Sequence, residues 1–225
     1  NAQDRLTANE CYRAAIEKEL GVPVKVFTPA DYDGVIQGLL GGTLDMAWLG
    51  ASAYAKIFLT DPAAVDVKLT TMHVNGSTGY YSIGFTRKDT GITSMEDAKG
   101  HTFAFGEPNS TSGYLVPAAE LIAKYGPLED YFSTVTFSGG HEQTIVGVAN
   151  GTFDAGVSWA DGVGDWADGY SAGAFRKATD AGLVDMNNLV EIWRSTMIPE
   201  GPMVVRSALP QDVKDKVTEL TANLP

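Results

Sequence analysis

Two stretches of this chain repeat each other at an offset of 109 positions. Asp31 to Asp45 reads DYDGVIQGLLGGTLD, and Gly140 to Asp154 reads GHEQTIVGVANGTFD. Ile36/Ile145, Gly38/Gly147, Gly42/Gly151, Thr43/Thr152 and Asp45/Asp154 are identical pairs. Each copy predicts a helix, a Gly-Thr-apolar-Asp turn and a buried strand. In the first copy Tyr32, Val35, Ile36, Leu39 and Leu40 recur at the spacing of one buried helical face. Tandem solenoid repeats have periods of roughly 20–50 residues, so this offset does not describe a solenoid. It describes two similar α/β lobes. Such lobes bind ligands at the carboxyl ends of their strands, here in a cleft between them. The repeat sets Tyr32 and His141 at equivalent helix starts, as opposing walls of that cleft or simply as first helical residues.

The rest of the chain supports an alternation of strands and helices. Helices are expected over Asp4–Leu20, from Asp31 to Leu40, Ala51–Phe58, a capping-box helix at Ser94–Asp97, Ser110–Tyr125, Gly140–Ala149 and Gln211–Leu220. Strands are expected at Val22–Phe27, Leu44–Leu49, Lys68–Met72, Tyr80–Thr86, Thr102–Phe105, Thr134–Phe137, Phe153–Ser158, Leu189–Ser195 and Met203–Arg206. Asp161–Asp185 reads as irregular. The expected lobes are residues 1–84 plus 197–225 and residues 85–196, joined by two crossovers near Tyr81–Gly84 and Ser195–Met203. Each is expected to hold a mostly parallel sheet flanked by helices. The chain opens directly on helical sequence, so a first strand and a signal segment are expected to have preceded it.

Charge narrows the partners. The formal net charge is -12 over 225 residues, which argues against nucleic acid and anionic membrane surfaces. It does not argue against a small anion, which feels local dipoles more than charge screened over ~8–10 Å. No apolar run approaches the ~20 residues of a membrane span. The single cysteine, Cys11, excludes an internal disulfide or a Cys-based metal site, and it falls in a helical pattern as a small core residue.

One stretch points to an anion. The apolar run Thr102–Phe105 is broken by Gly106 and Pro108, and Ser110, Thr111 and Ser112 then open a helix. Three hydroxyls beside unpaired N–H groups and the positive end of a helix dipole form an anion site, unless they are only N-caps. Pro117 removes one helical N–H and sets the first turn apart as a kinked piece.

These residues together resemble the phosphonate/phosphite/phosphate-binding proteins of ABC importers, across essentially the whole chain. The resemblance is carried by Asp31–Gly38, Asp45–Gly50, Gly79–Ser82, Pro108–Pro117, Gly140–Glu142 and Ile198–Pro202. It implies the two-lobe type II periplasmic-binding-protein fold. It implies phosphonate oxygens held by Tyr32, Tyr80, Ser110, Thr111, Ser112 and His141, with no Arg or Lys required. Charge-assisted bonds of this kind contribute roughly 1.5–3 kcal/mol each. For 2-aminoethylphosphonate the resemblance implies an ammonium site at Asp161, where the family has Glu, and at Glu200, displaced by one position. Trp48 and Trp159 would wall the cleft or pack in the core. The implied protein is a monomeric extracytoplasmic carrier, periplasmic or lipid-anchored, that delivers its ligand to a membrane permease without cofactor or metal.

Alternatives stay open at this point. A phosphite or methylphosphonate carrier would need no ammonium site. A ligand-sensing domain would bind the same ligand with a different output. A thiamine-pyrimidine synthesis enzyme of the same fold would read His141 as reactive, but one cysteine and three histidines suit it poorly. Ser110, His141 and Asp161 invite a triad reading, yet no Gly-x-Ser-x-Gly elbow is present. His141-Glu142 lacks the second His of a zinc motif.

Overall fold

The computed structural model describes residues 9–73 and 76–223. In chain order the elements are α1 (Glu10–Leu20), α2 (Tyr32–Leu40), β1 (Met46–Trp48), α3 (Ala51–Thr60), β2 (Val65–Thr70), β3 (Gly79–Arg87) and β4 (Thr102–Phe105). A π-helical turn (Thr111–Leu115) then leads into α4 (Val116–Tyr125), α5 (Leu128–Tyr131), β5 (Thr134–Phe137), α6 (His141–Ala149) and β6 (Ala155–Ala160). The chain closes with α7 (Ala174–Asp180), β7 (Leu189–Arg194), β8 (Ile198–Pro199), β9 (Pro202–Arg206) and α8 (Gln211–Ala222). It divides into two compact units, Asn1–Thr71 with Gly201–Pro225, and Met72–Glu200.

The first unit is built on a sheet in the order β1-β9-β2, with both neighbours antiparallel to β9. Strand alternation sends Val204 to one face and Met203 and Val205 to the other. Val204 packs with Ile36, Leu39, Ala53 and Ile57 of α2 and α3. Met203 and Val205 pack with Ile16 of α1 and Val217 of α8. Lys214 of α8 is almost fully buried and places its ammonium 2.8 Å from Asp66 of β2, so the helix is held by charge as well as by packing.

The second unit carries a sheet in the order β5-β4-β6-β3-β7, with β8 on β3. Only the β4 pairings are parallel; β3 runs antiparallel to β6, β7 and β8. One core gathers Phe103, Phe105, Leu121, Phe132 and Val157. Another gathers Ile83, Phe85, Ile145, Phe175 and Met186.

Several sequence expectations are corrected. The first sheet is wholly antiparallel and the second mixed, rather than mostly parallel, because β9 and β3 run antiparallel to the strands beside them. β3 pairs along its length within the second unit, Met72–Glu200. Val22–Phe27 pairs with no strand among the described residues, and Val22 and Phe27 are exposed; β-branched content alone does not make a strand without a partner. Ser94–Asp97 forms turns, although the Asp97 amide still donates to Ser94 Oγ at 3.2 Å. Asp161–Asp185 is not wholly irregular but contains α7. Cys11 is exposed, because α1 turns Ile16 rather than Cys11 inward. Leu6 and the rest of residues 1–8 lie outside the described residues.

The repeat is structural. Both helices span nine residues, α2 from Tyr32 and α6 from His141. One residue past each helix's cap stands a left-handed glycine, Gly42 at φ 75° and Gly151 at φ 79°. The amides of Thr43 and Thr152 return to Gly38 O at 2.9 Å and Gly147 O at 2.8 Å. An arginine ending the antiparallel neighbour strand closes each turn. Arg206 bonds Asp45 at 2.6 Å, and Arg87 bonds Val148 O at 2.7 Å and Phe153 O at 3.0 Å. The final aspartates diverge, since Asp154 accepts from the amide and hydroxyl of Thr102.

Candidate anion site

The site is assembled at the ends of β4, β3 and β6 in the second unit. Gly106 ends β4, and the chain turns through Pro108 to Ser110, whose hydroxyl oxygen accepts from Gly113 N at 3.0 Å. The turn is π-helical: Leu115 N donates to Ser110 O at 3.0 Å and Val116 N to Thr111 O. π-turns of this kind gather at functional sites. Pro117 stands at the start of α4, as its missing N–H and fixed φ favour. The expected separate first turn is therefore present. Ser110, Thr111 and Ser112 are all buried.

His141 is the first residue of α6, placed by Gly140, whose φ of 157° favours glycine. Its Nε2 lies 3.3 Å from Ser110 Oγ and its Nδ1 3.3 Å from Ser158 Oγ, a fully buried hydroxyl of β6. Desolvation, with the Lys177 ammonium adding to it, holds the imidazole well below its ordinary value, at about 4. At neutral pH it is uncharged, with one N–H and one acceptor. Gly113 is required beside it. A Cβ there would fall 2.7 Å from Ser110 Oγ and 3.2 Å from His141 Cε1.

Trp159, also of β6, joins the group. Its ring meets Tyr80 edge-on at 5.4 Å and His141 at 6.5 Å, and Lys177 lies over it at 5.9 Å. Tyr80 is buried at the start of β3, opposite Ile198 of β8. The structure thus brings together Tyr80, Ser110, Thr111, Ser112, His141 and Trp159. Tyr32 and Trp48 belong to the first unit. Tyr32 is half-buried against the α2–α3 core, and Trp48 is exposed at the end of β1.

The two expected ammonium acids differ. Asp161 follows β6 and is 2% exposed. Its Oδ1 accepts from Val163 N at 3.3 Å and Ala172 N at 3.1 Å, and its Oδ2 accepts from Ser171 Oγ. The carboxylate therefore organises a loop in which Tyr170 takes a left-handed backbone, the only non-glycine to do so among the described residues. Tyr170 is fixed there by Glu191 and by Arg194, 2.5 Å from its hydroxyl. Glu200 pairs with His73 Nε2 at 2.8 Å. Sequence reading passed over His73, Ser158 and Lys177. Ser158 had a signal, a hydroxyl within the apolar run Ala155–Ala160. His73 and Lys177 had none, since their contacts cross 127 and 18 residues respectively.

A family model described as "ABC transporter, phosphonate, periplasmic substrate-binding protein" matches residues 2–224. The chain belongs to this family. Among its relatives is the phosphonates-binding periplasmic protein of Escherichia coli (strain K12), 34% identical over 213 residues. That alignment covers 92% of this chain and 58% of the relative, so the chain spans little more than half of that protein's length. A solved binding protein component of an ABC phosphonate transporter from Pseudomonas aeruginosa superposes with a TM-score of 0.82 at 30% identity. The match covers 97% of this chain and 69% of that one. PhnD1 from Prochlorococcus marinus, solved with methylphosphonate, shares the fold with a TM-score of 0.81 at 22% identity, over 99% and 80% of the two chains. The type II periplasmic-binding-protein fold expected from the sequence is thereby established.

Proposed function

We propose that this chain is the substrate-binding component of an ABC importer, that it captures an organophosphonate outside the cytoplasm, and that 2-aminoethylphosphonate is its ligand. The observation that carries the anion end is the π-helical turn with its three buried hydroxyls against a neutral His141. Hydroxyls, amides and an uncharged imidazole surround an oxyanion without a formal positive charge in contact, and a dianion accepts many such bonds. Tyr32 is the first unit's candidate donor, Tyr80 the second unit's, and Trp48 and Trp159 are candidate apolar contacts. The protein works as a monomer with a membrane permease as partner, and it is periplasmic or lipid-anchored.

The cationic end rests on Asp161. A carboxylate offers about four acceptor positions. The loop takes three of them, two on Oδ1 and one on Oδ2, which leaves one for an ammonium. Glu200, held by His73, has the weaker claim.

Calorimetry with 2-aminoethylphosphonate, methylphosphonate, phosphite and phosphate tests the reading. Failure of all four to bind below ~100 μM, about -5.5 kcal/mol, ends it. Asp161→Asn keeps an acceptor for the loop and removes the charge. It is expected to weaken 2-aminoethylphosphonate at least about tenfold and methylphosphonate less than about threefold. Equal losses for both would leave Asp161 a loop-forming residue. Tighter wild-type binding of methylphosphonate or phosphite would favour the carrier that needs no ammonium site.

A further inference from the structure

The π ladder of the Ser-Thr-Ser turn stops at Pro117. Its next rung would run from residue 117 to Ser112 O, and proline has no N–H to give. In the α register the same missing donor would have served Gly113 O. Both carbonyls are supplied from the sheet instead. Ser82 Oγ donates to Ser112 O at 2.7 Å, and Gly106 N donates to Gly113 O at 2.8 Å. Ser82 is fully buried in β3, and its backbone is held on both sides by Ser195: Ser82 N donates to Ser195 Oγ at 3.0 Å, and Ser195 N to Ser82 O at 2.9 Å.

The bond reaches further than the carbonyl. Ser112 C=O and Gly113 N–H belong to one planar peptide unit. The N–H end of that unit donates to Ser110 Oγ, which lies 3.3 Å from His141 Nε2. Fixing the carbonyl fixes the amide, and the amide fixes the acceptor side of the Ser110 hydroxyl, so its proton points away, toward a ligand or the imidazole.

We propose that Ser82 is a positioning residue of the oxyanion turn, whose hydroxyl replaces the N–H that Pro117 lacks and orients Ser110 through the Ser112–Gly113 peptide. Its effect on affinity rests on the phosphonate reading given above; its effect on the turn does not. Ser82→Ala, Pro117→Ala and the double variant form the test. Ser82→Ala is expected to weaken methylphosphonate and 2-aminoethylphosphonate by the same factor, about tenfold, because the defect lies at their shared end. With Pro117→Ala present, residue 117 regains a donor, and Ser82→Ala should then cost less than about threefold. Without ligand, Ser82→Ala is expected to speed hydrogen exchange of the Gly113 amide, and Pro117→Ala to slow it again. Unchanged affinity alongside a lowered urea midpoint would overturn the proposal, as would equal losses in both backgrounds. A wild type that binds no oxyanion would sink the phosphonate reading alone, and Gly113 exchange unaltered by Ser82→Ala would then overturn the role of Ser82.

Discussion

His141 shows how one residue's surroundings set a measurable property of the protein. Burial and Lys177 hold its imidazole near 4, below the ordinary 6.5. A lowered value means the fold favours the neutral form. That preference stabilises the protein fully above about pH 6.5 and is lost as pH falls toward 4. The urea midpoint of the wild type should therefore drop more between pH 7 and 4.5 than that of His141→Gln. Parallel curves would show that His141 is not held neutral. Gly113 acts by absence. Because a methyl there would meet Ser110 Oγ and His141 Cε1, Gly113→Ala is expected to reduce methylphosphonate affinity at least about tenfold, with the thermal midpoint falling by only a few degrees. The helix starts at Tyr32 and His141 were legible because a repeated pattern marked them. Ser158 and Lys177 were not, because their roles come from neighbours that the fold supplies.

At the scale of elements, the repeated helix–turn–strand makes a paired prediction. Gly42 and Gly151 hold nearly the same left-handed conformation, which costs a residue with a Cβ about 1–2 kcal/mol. Gly42→Ala and Gly151→Ala should each lower stability by that amount, and chemical denaturation should show similar losses. A large difference between them would mean that the arginine behind each turn, Arg206 or Arg87, makes the two turns unequal. This element was readable because its signals are local: glycines, a threonine and helical periodicity. Val22–Phe27 failed as a strand because strand propensity is satisfied only by a neighbour. The Asp161–Gly173 loop was unreadable for a related reason. Its organiser is a carboxylate bonded ten and eleven residues downstream, to Ser171 and Ala172. Mixed strand direction was likewise invisible, since direction depends on where β3 and β9 come to lie.

At the scale of the molecule, the two units are made differently from one chain. The second is a continuous segment, Met72–Glu200, with its own cores and its own sheet. Expressed alone, that segment is expected to unfold cooperatively and to retain near-ultraviolet dichroism from Trp159 and Trp193; a noncooperative transition would show that it depends on the rest. The first unit is discontinuous, and its middle strand is made after the two that flank it. β1 and β2 have no direct pairing and are joined only through β9. During synthesis β2 must wait ~130 residues and β1 ~150 for their partner, on the order of ten seconds at ~5–20 residues per second. Synthesis thus completes the inner segment before the outer one. A chain ending at Glu200, which lacks β9, should resist protease across 76–200 and be cut within 9–71.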